Sequence, residues 1–289
     1  MTYFFICRFR MPALTKIAIC RHPKRKGVAK GTGNHAGQIV PRDHHDQGSW
    51  RAHRGGAQYA LPNYMSMNFS AFEFWTDGWR DGSLMPNDEG LRRCQCGQFV
   101  LLKNLVEVGV ADDSPLPSLG HVSAEQLPEC IASATSEEVE LAARLEYWRH
   151  LNHSYRERYR QHRDAEEAAT KAKWLAAHPD NRSWWDKLLK RKPPSYIRPA
   201  DSPFTYPQFE PTPAQQQNME RLSTILASRD GESLHWHAIP LAELYREQGR
   251  FEEAQRAMDA VEQREDDVTA RVIARLIKER DAAPTRYRM

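Results

Sequence analysis

The pair Cys94 and Cys96, spaced by Gln95 and followed by Gly97, is the clearest concentration of reactive side chains in this sequence. Residues i and i+2 of an extended chain point to one face, so both sulfurs can reach one metal ion. Gly97 permits the positive φ that would turn the chain away from such an ion. Arg92 and Arg93 favour thiolate over thiol, which metal binding and thiol reactivity both require. Zinc normally takes four ligands, and this motif supplies two. His121 and Cys130, or the same pair from a second chain, are the candidates to complete a zinc site with Cys94 and Cys96. Two other readings stay open: a pair of reduced cysteines in a hairpin, and a redox pair.

Elsewhere the signals of a conventional enzyme are missing. There is no HExxH, no P-loop, no G-x-S-x-G, and no nucleophile with an evident base. Gly31, Gly33 and Gly37 have the wrong spacing for a phosphate loop, with no strand before them and no helix after. Cys130 lies near His121 in sequence, but that does not make a dyad. His235 and His237 flank Trp236 at a helix entrance, where capping and packing explain them better than a metal. A non-enzymatic protein is expected.

The elements that must position the cysteines come next. Phe99 to Leu102 is a β-compatible run suited to the second strand of a hairpin. Phe69, Phe72, Phe74, Trp75 and Trp79 read as the small core of the same module, with turns at Asp77-Gly78 and Asp81-Gly82. The chain from Ala111 to Glu129 reads as loop, with Ser123 to Gln126 opening a short turn. Thr135 or Ser136 then caps a long helix that runs to about Ala177. Its seam, Leu141, Leu145, Trp148, Asn152, Tyr155 and Tyr159, steps by three and four, as one face of a packed or self-associating helix does. Asn152 is expected either to set register in a homodimer or, more commonly for such a residue, to sit partly exposed.

Arginines interleave with aromatics along residues 144–198, the composition of single-strand nucleic-acid binders. Glu146, Glu157, Asp164, Glu166 and Glu167 are mixed in, and ion pairing on a solvated helix explains the mixture more cheaply. Trp184 to Lys192 is a short basic amphipathic segment. It can touch an anionic membrane surface, although docking of its Trp/Leu face onto the body is the expectation. Prolines from Pro193 to Pro213 mark an extended linker. Helices are predicted over 213–228, with Met219, Leu222, Ile225 and Leu226 on one face, and over 237–248, 251–264 and 268–280.

The string Trp75-x-Asp77-Gly78, Met85-Pro86, Cys94-x-Cys96-Gly97 resembles a family of uncharacterised bacterial proteins. Their members begin with a zinc-ribbon-like cysteine module and end in a tetratricopeptide-like segment. The resemblance runs from about Met67 to the C-terminus and implies an architecture. Leu241, Tyr245, Gly249, Phe251, Ala254 and Met258 are similar to a tetratricopeptide helical hairpin. Gly249 would take the left-handed cap, Phe251 would pack under the turn, and Ala254 would allow close helix approach.

Composition bounds the rest. The chain has 289 residues, 40% hydrophobic and 27% charged, with five cysteines at irregular spacing. That count does not make a disulfide framework and points to a reducing compartment. No run approaches the length of a membrane span. Residues 1–64 carry eleven basic and two acidic side chains, a net of +9, while the remaining thirty basic and thirty-six acidic residues leave −6. This basic stretch shows no persistent period. It reads as a disordered basic arm for nucleic acid, as a mitochondrial transit peptide, or as a disordered upstream extension, and the last is the expectation, with the functional chain starting at Met65 or Met67.

The expected fold is mainly α. Residues 1–66 form the extension, 67–120 the cysteine-containing β-hairpin module, 135–178 the long helix, 179–212 the proline-rich linker and 213–283 the tetratricopeptide-like helices. The expected role is a cytoplasmic adaptor with a protein partner, stabilised by zinc. The alternatives are a nucleic-acid binder using the Arg/aromatic helix and a thiol enzyme or redox protein at Cys94/Cys96.

Overall fold

The computed structural model describes residues 15–20, 57–61, 71, 73–82, 90–111, 116–190, 192, 195–197, 206–229, 232–261 and 266–287. In chain order the strands are β1 (Thr15–Cys20), β2 (Ala57–Leu61), β3 (Glu73–Trp75), β4 (Arg80–Asp81), β5 (Leu91–Arg93), β6 (Phe99–Leu101), β7 (Val106–Ala111), β8 (Gly120–His121) and β9 (Arg286–Tyr287). The helices are α1 (Leu127–Ala132), α2 (Glu137–Leu151), α3 (His153–Ala177), α4 (Trp184–Leu188), α5 (Pro213–Ala227), α6 (Glu232–Glu247), α7 (Phe251–Asp259) and α8 (Val268–Glu279). The fold is mainly helical with small antiparallel sheets, as composition and periodicity predict. The presumed start at Met65 or Met67, the motif residues Met85 and Pro86, and the glycines at 31, 33 and 37 lie outside the described residues.

Two compact units divide the chain: Met1–Phe69 with Leu84–Ala143, and Ser70–Ser83 with Arg144–Met289. In the first, β5 pairs antiparallel with β6 on one side and with β8 on the other. The hairpin read from Cys94 to Leu102 is therefore present, one strand wider than expected. A second sheet, ordered β2-β1-β7, holds two strands within the stretch read as a disordered extension. Their short apolar runs give no lasting period by themselves; β2 pairs with β1, and the pairing of β1 with β7 spans about ninety residues of sequence. Ser123 and Gln126 form a reciprocal capping box at the turn that leads into α1.

The second unit gathers the helices around β3, β4 and β9. The long helix is interrupted at Asn152 alone, and backbone hydrogen bonds continue on both sides. Asn152 N–H donates to Trp148 O at 3.1 Å, and Arg156 N–H donates to Asn152 O at 3.0 Å. Thr212 and Gln215 cap the N-terminus of α5 reciprocally. Met219, Leu222, Ile225 and Leu226, the face read from spacing, are buried. Helices α6 and α7 form a hairpin whose core contains Ala242, Ala254 and Met258, continued by Ala270, Ile273 and Ile277 of α8. Gly249 has φ +72° between them, and Arg250 N–H returns to Tyr245 O at 2.8 Å, a Schellman closure.

Three expectations change. Trp75 and Trp79 do not form the core of the cysteine module; they belong to the helical unit, where Trp75 packs edge-on against Tyr159 at 5.0 Å. Asn152 is buried rather than partly exposed. The Trp/Leu face of α4 is exposed instead of docked. Local spacing identifies an amphipathic face but not what will cover it.

A candidate cleft beside a buried charge network

The turn Trp75-Thr76-Asp77-Gly78-Trp79 is the hub of the helical unit. Gly78 has φ +81°, and a Cβ there would lie 3.1 Å from Arg149 Nη2. The positive φ favours glycine, and any side chain there would also have to displace the tip of Arg149. Trp75 N–H donates to Trp79 O at 2.9 Å, and Trp79 N–H donates to Asp77 Oδ1 at 3.0 Å. The carboxylate thereby braces its own turn and presents Oδ2 to the helices. There it accepts from Asn152 Nδ2 at 3.1 Å and pairs with Arg156 Nη1. The Arg156 guanidinium lies over the Trp79 ring, 4.6 Å from its centroid.

Asn152 extends this network. Its amide also donates to Glu247 at 3.2 Å and accepts from Gln215 Nε2 at 3.0 Å, so the residue that caps α5 also holds the α2–α3 junction. Glu247 accepts from the Trp148 indole at 2.7 Å. Burial, then the nearby Glu243 and Asp77 carboxylates, push Glu247 well above the usual carboxylate range. Glu243 is paired with Arg246, whose Nε donates to Glu243 Oε2 at 2.7 Å. Arg246 also donates to Ala283 O at 3.0 Å and to Asp281 O, fixing the segment that leads to β9. Asp77, Glu243 and Glu247, against Arg156 and Arg246, make three buried carboxylates for two buried guanidiniums.

A half-open cleft of about 240 Å³ adjoins this network. Its walls include Trp75, Trp79 and Trp148, with Arg80 and Arg149 as cations, Ile239 and Pro240 of α6, and Asp267, Thr269 and Tyr287. Thr269 and Tyr287 are hydrogen-bonded hydroxyl to hydroxyl at 2.6 Å, and Asp267 caps α8 by accepting from Ala270 N–H at 3.0 Å. The buried Trp75 indole Nε1 has no hydrogen-bond partner among the described residues. Of these groups the sequence motif Trp75-x-Asp77-Gly78 pointed to the turn, although not to a cleft. Nothing local marks Trp148, Asn152 or Glu247 as its partners.

The residues singled out for metal are placed differently. Cys94 ends the β5 side of the hairpin, with Gly97 at φ +85° and Cys94 N–H donating to Gln98 O at 2.9 Å. Its sulfur is bonded to that of Cys96, with the two Cα atoms 5.3 Å apart. Cys94 is buried against Tyr59 and Leu119, whereas Cys96 is exposed. His121 lies on β8 opposite Arg92 in register, and Cys130 is buried on α1. Among the described residues no three His, Cys, Asp or Glu side chains converge in a ligating group. Bonded to each other, the Cys94 and Cys96 sulfurs supply no thiolate to a tetrahedral set.

The Arg/aromatic helix, read as a nucleic-acid alternative, spends much of its chemistry inside the unit. Tyr155 and Tyr159 are buried, and Arg160 holds Glu73 at 2.6 Å and Asp81 at 3.2 Å. Comparison with protein-family models, with curated proteins and with solved structures finds no match to this chain.

Proposed function

We propose that the protein is a non-enzymatic adaptor of the cytoplasm that holds a protein partner through the tryptophan-walled cleft. The observation that carries this reading is the cleft itself, walled by three indoles with the cation Arg80 among its lining residues. Its volume is below the roughly 300–1,000 Å³ of typical small-molecule pockets. It suits a single anchor side chain of a partner, apolar or aromatic, with an acidic neighbour reaching Arg80. Buried aromatic anchors of this kind dominate protein–protein affinity. On this reading α6 and α7 are a tetratricopeptide-like hairpin and α8 opens the next unit. The cleft draws residues from α6 and α8 and none from α7, which matches a groove on the first-helix face. Affinity capture with the full chain, beside its Arg80→Glu variant, tests the idea. A partner retained by the first and lost by the second, at unchanged melting temperature, is the expected result; equal retention would sink it.

A second reading is favoured by the Cys94–Cys96 bond. With Cys96 exposed, the pair can exchange with another dithiol, oxidising that dithiol as its own disulfide is reduced. When reduced, the same pair supplies two thiolates to zinc, with His121 and Cys130 or a second copy completing the set. Metal analysis of the reduced protein separates these states. One zinc per two chains supports the shared site, one per chain supports His121 and Cys130, and metal-free protein that exchanges with glutathione supports the redox pair.

A further inference from the structure

The large apolar side chains that remain exposed among the described residues are Leu175, Trp184, Trp185, Leu188, Leu189, Ile197 and Tyr206, all in one stretch of thirty-odd residues. Four of them belong to α4 and its last turn. Trp184, Trp185 and Leu189 are each 64% exposed and Leu188 is 57% exposed. Positions i, i+1, i+4 and i+5 fall on one face of a helix, so these four make a continuous apolar surface.

The segment is held in place at its base. The Trp174 ring stacks on His178 at 4.3 Å, and Tyr196 meets Trp174 edge-on at 5.9 Å, which returns the chain to the end of α3. Arg182 forks onto Asp180 with contacts of 2.7 and 2.8 Å.

Charge identifies what would cover it. Between residues 182 and 198 the chain carries Arg182, Lys187, Lys190, Arg191, Lys192 and Arg198 against Asp186 alone. Paired tryptophans beside leucines, followed at once by three consecutive cations, match the boundary between headgroups and acyl chains of an anionic bilayer. Tryptophan prefers that boundary because its ring is apolar and its N–H polar. Basic residues next to the apolar face are drawn to anionic headgroups. No described helix is long and apolar enough to cross a membrane, so the contact is peripheral. We propose that the α4 segment is a reversible anchor for anionic membrane surfaces, inserting Trp184, Trp185, Leu188 and Leu189 at the interface. This does not depend on the cleft or on any partner it holds.

The test is co-sedimentation of the full chain with vesicles of phosphatidylcholine alone and of phosphatidylcholine with about one-quarter phosphatidylglycerol. Binding to the anionic vesicles only, weakened by salt, is expected. Trp184→Ser/Trp185→Ser should reduce it at least about tenfold, and Lys190→Glu/Lys192→Glu should reduce it likewise. Both variants alter exposed side chains, and an unchanged melting temperature will show that the fold is kept. Absence of vesicle binding overturns the proposal. So does equal binding to both vesicle types, or binding that survives the tryptophan substitutions, since the basic stretch 1–64 would then be responsible. If a single-stranded oligonucleotide binds through the same tryptophans and vesicles do not, the face belongs to nucleic acid and the membrane assignment is wrong.

Discussion

Asp77 and Arg156 are both fully buried and hold one another, so neither can be removed alone without stranding a charge. Asp77→Ala should lower stability by about 3–5 kcal/mol, the usual cost of breaking a buried pair from one side. Denaturant unfolding will measure it; a loss below about 1 kcal/mol, the value of an exposed pair, would mean that the network is hydrated. Glu247 behaves differently, because its burial favours the proton. The folded state then binds more protons than the unfolded state once pH exceeds the ordinary glutamate value of about 4.3. Stability from Glu247 is full below that pH and is lost as pH rises through the higher folded value. Glu247→Gln keeps a neutral side chain that can accept from Trp148. Its melting temperature should fall less than the wild type's as pH rises above the ordinary glutamate value of about 4.3. Parallel profiles for the two proteins would show that Glu247 does not titrate there.

Among the elements, the α6–α7 hairpin separates two causes of destabilisation. A Cβ on Gly249 would meet nothing within 4 Å, so Gly249→Val is opposed by its φ of +72° alone. About 1–2 kcal/mol is expected. Ala254 is fully buried in the core shared with Ala242, Met258 and Ile273. Ala254→Leu should overpack that contact and cost about 1–3 kcal/mol. Thermal melts of the two variants and of the double variant test both effects. The effects should add approximately, since one acts on the backbone and the other on packing; wild-type melting in either single variant would deny the corresponding cause. The interruption between α2 and α3 shows the converse: the backbone hydrogen bonds pass Asn152 intact, and what makes the position special is its side chain.

For the molecule as a whole, the pairing of β1 with β7 on one side and β2 on the other changes what the N-terminal stretch is expected to do. Sequence composition predicts that a chain starting at Met67 melts like the full one. The structure instead gives Val106–Ala111 its partner strand in β1, and gives Cys94 and Leu119 a buried neighbour in Tyr59. Deleting residues 1–66 should remove amide protection from Val106–Ala111 in hydrogen exchange, while α6, α7 and α8 keep theirs. Unpaired strand groups open to water and exchange. Protection of β7 unchanged by the deletion would show that the sheet adds nothing to the first unit.

What could be read from the sequence alone was local. The buried face of α5, the left-handed turn at Gly249, the β5–β6 hairpin and the capping box at Ser123 and Gln126 each depend on a few consecutive residues. Backbone sterics or a helical period act within such a window. What only the tertiary structure decided was which polar side chains face one another. Asn152 joins Asp77, Gln215 and Glu247 across 75, 63 and 95 residues of chain. The turn at Trp75 likewise went to the helices instead of the cysteine hairpin, and the Trp/Leu face of α4 was left uncovered. A buried polar group is tolerated only where its partner arrives, and that arrival depends on packing between distant segments, which no local pattern records.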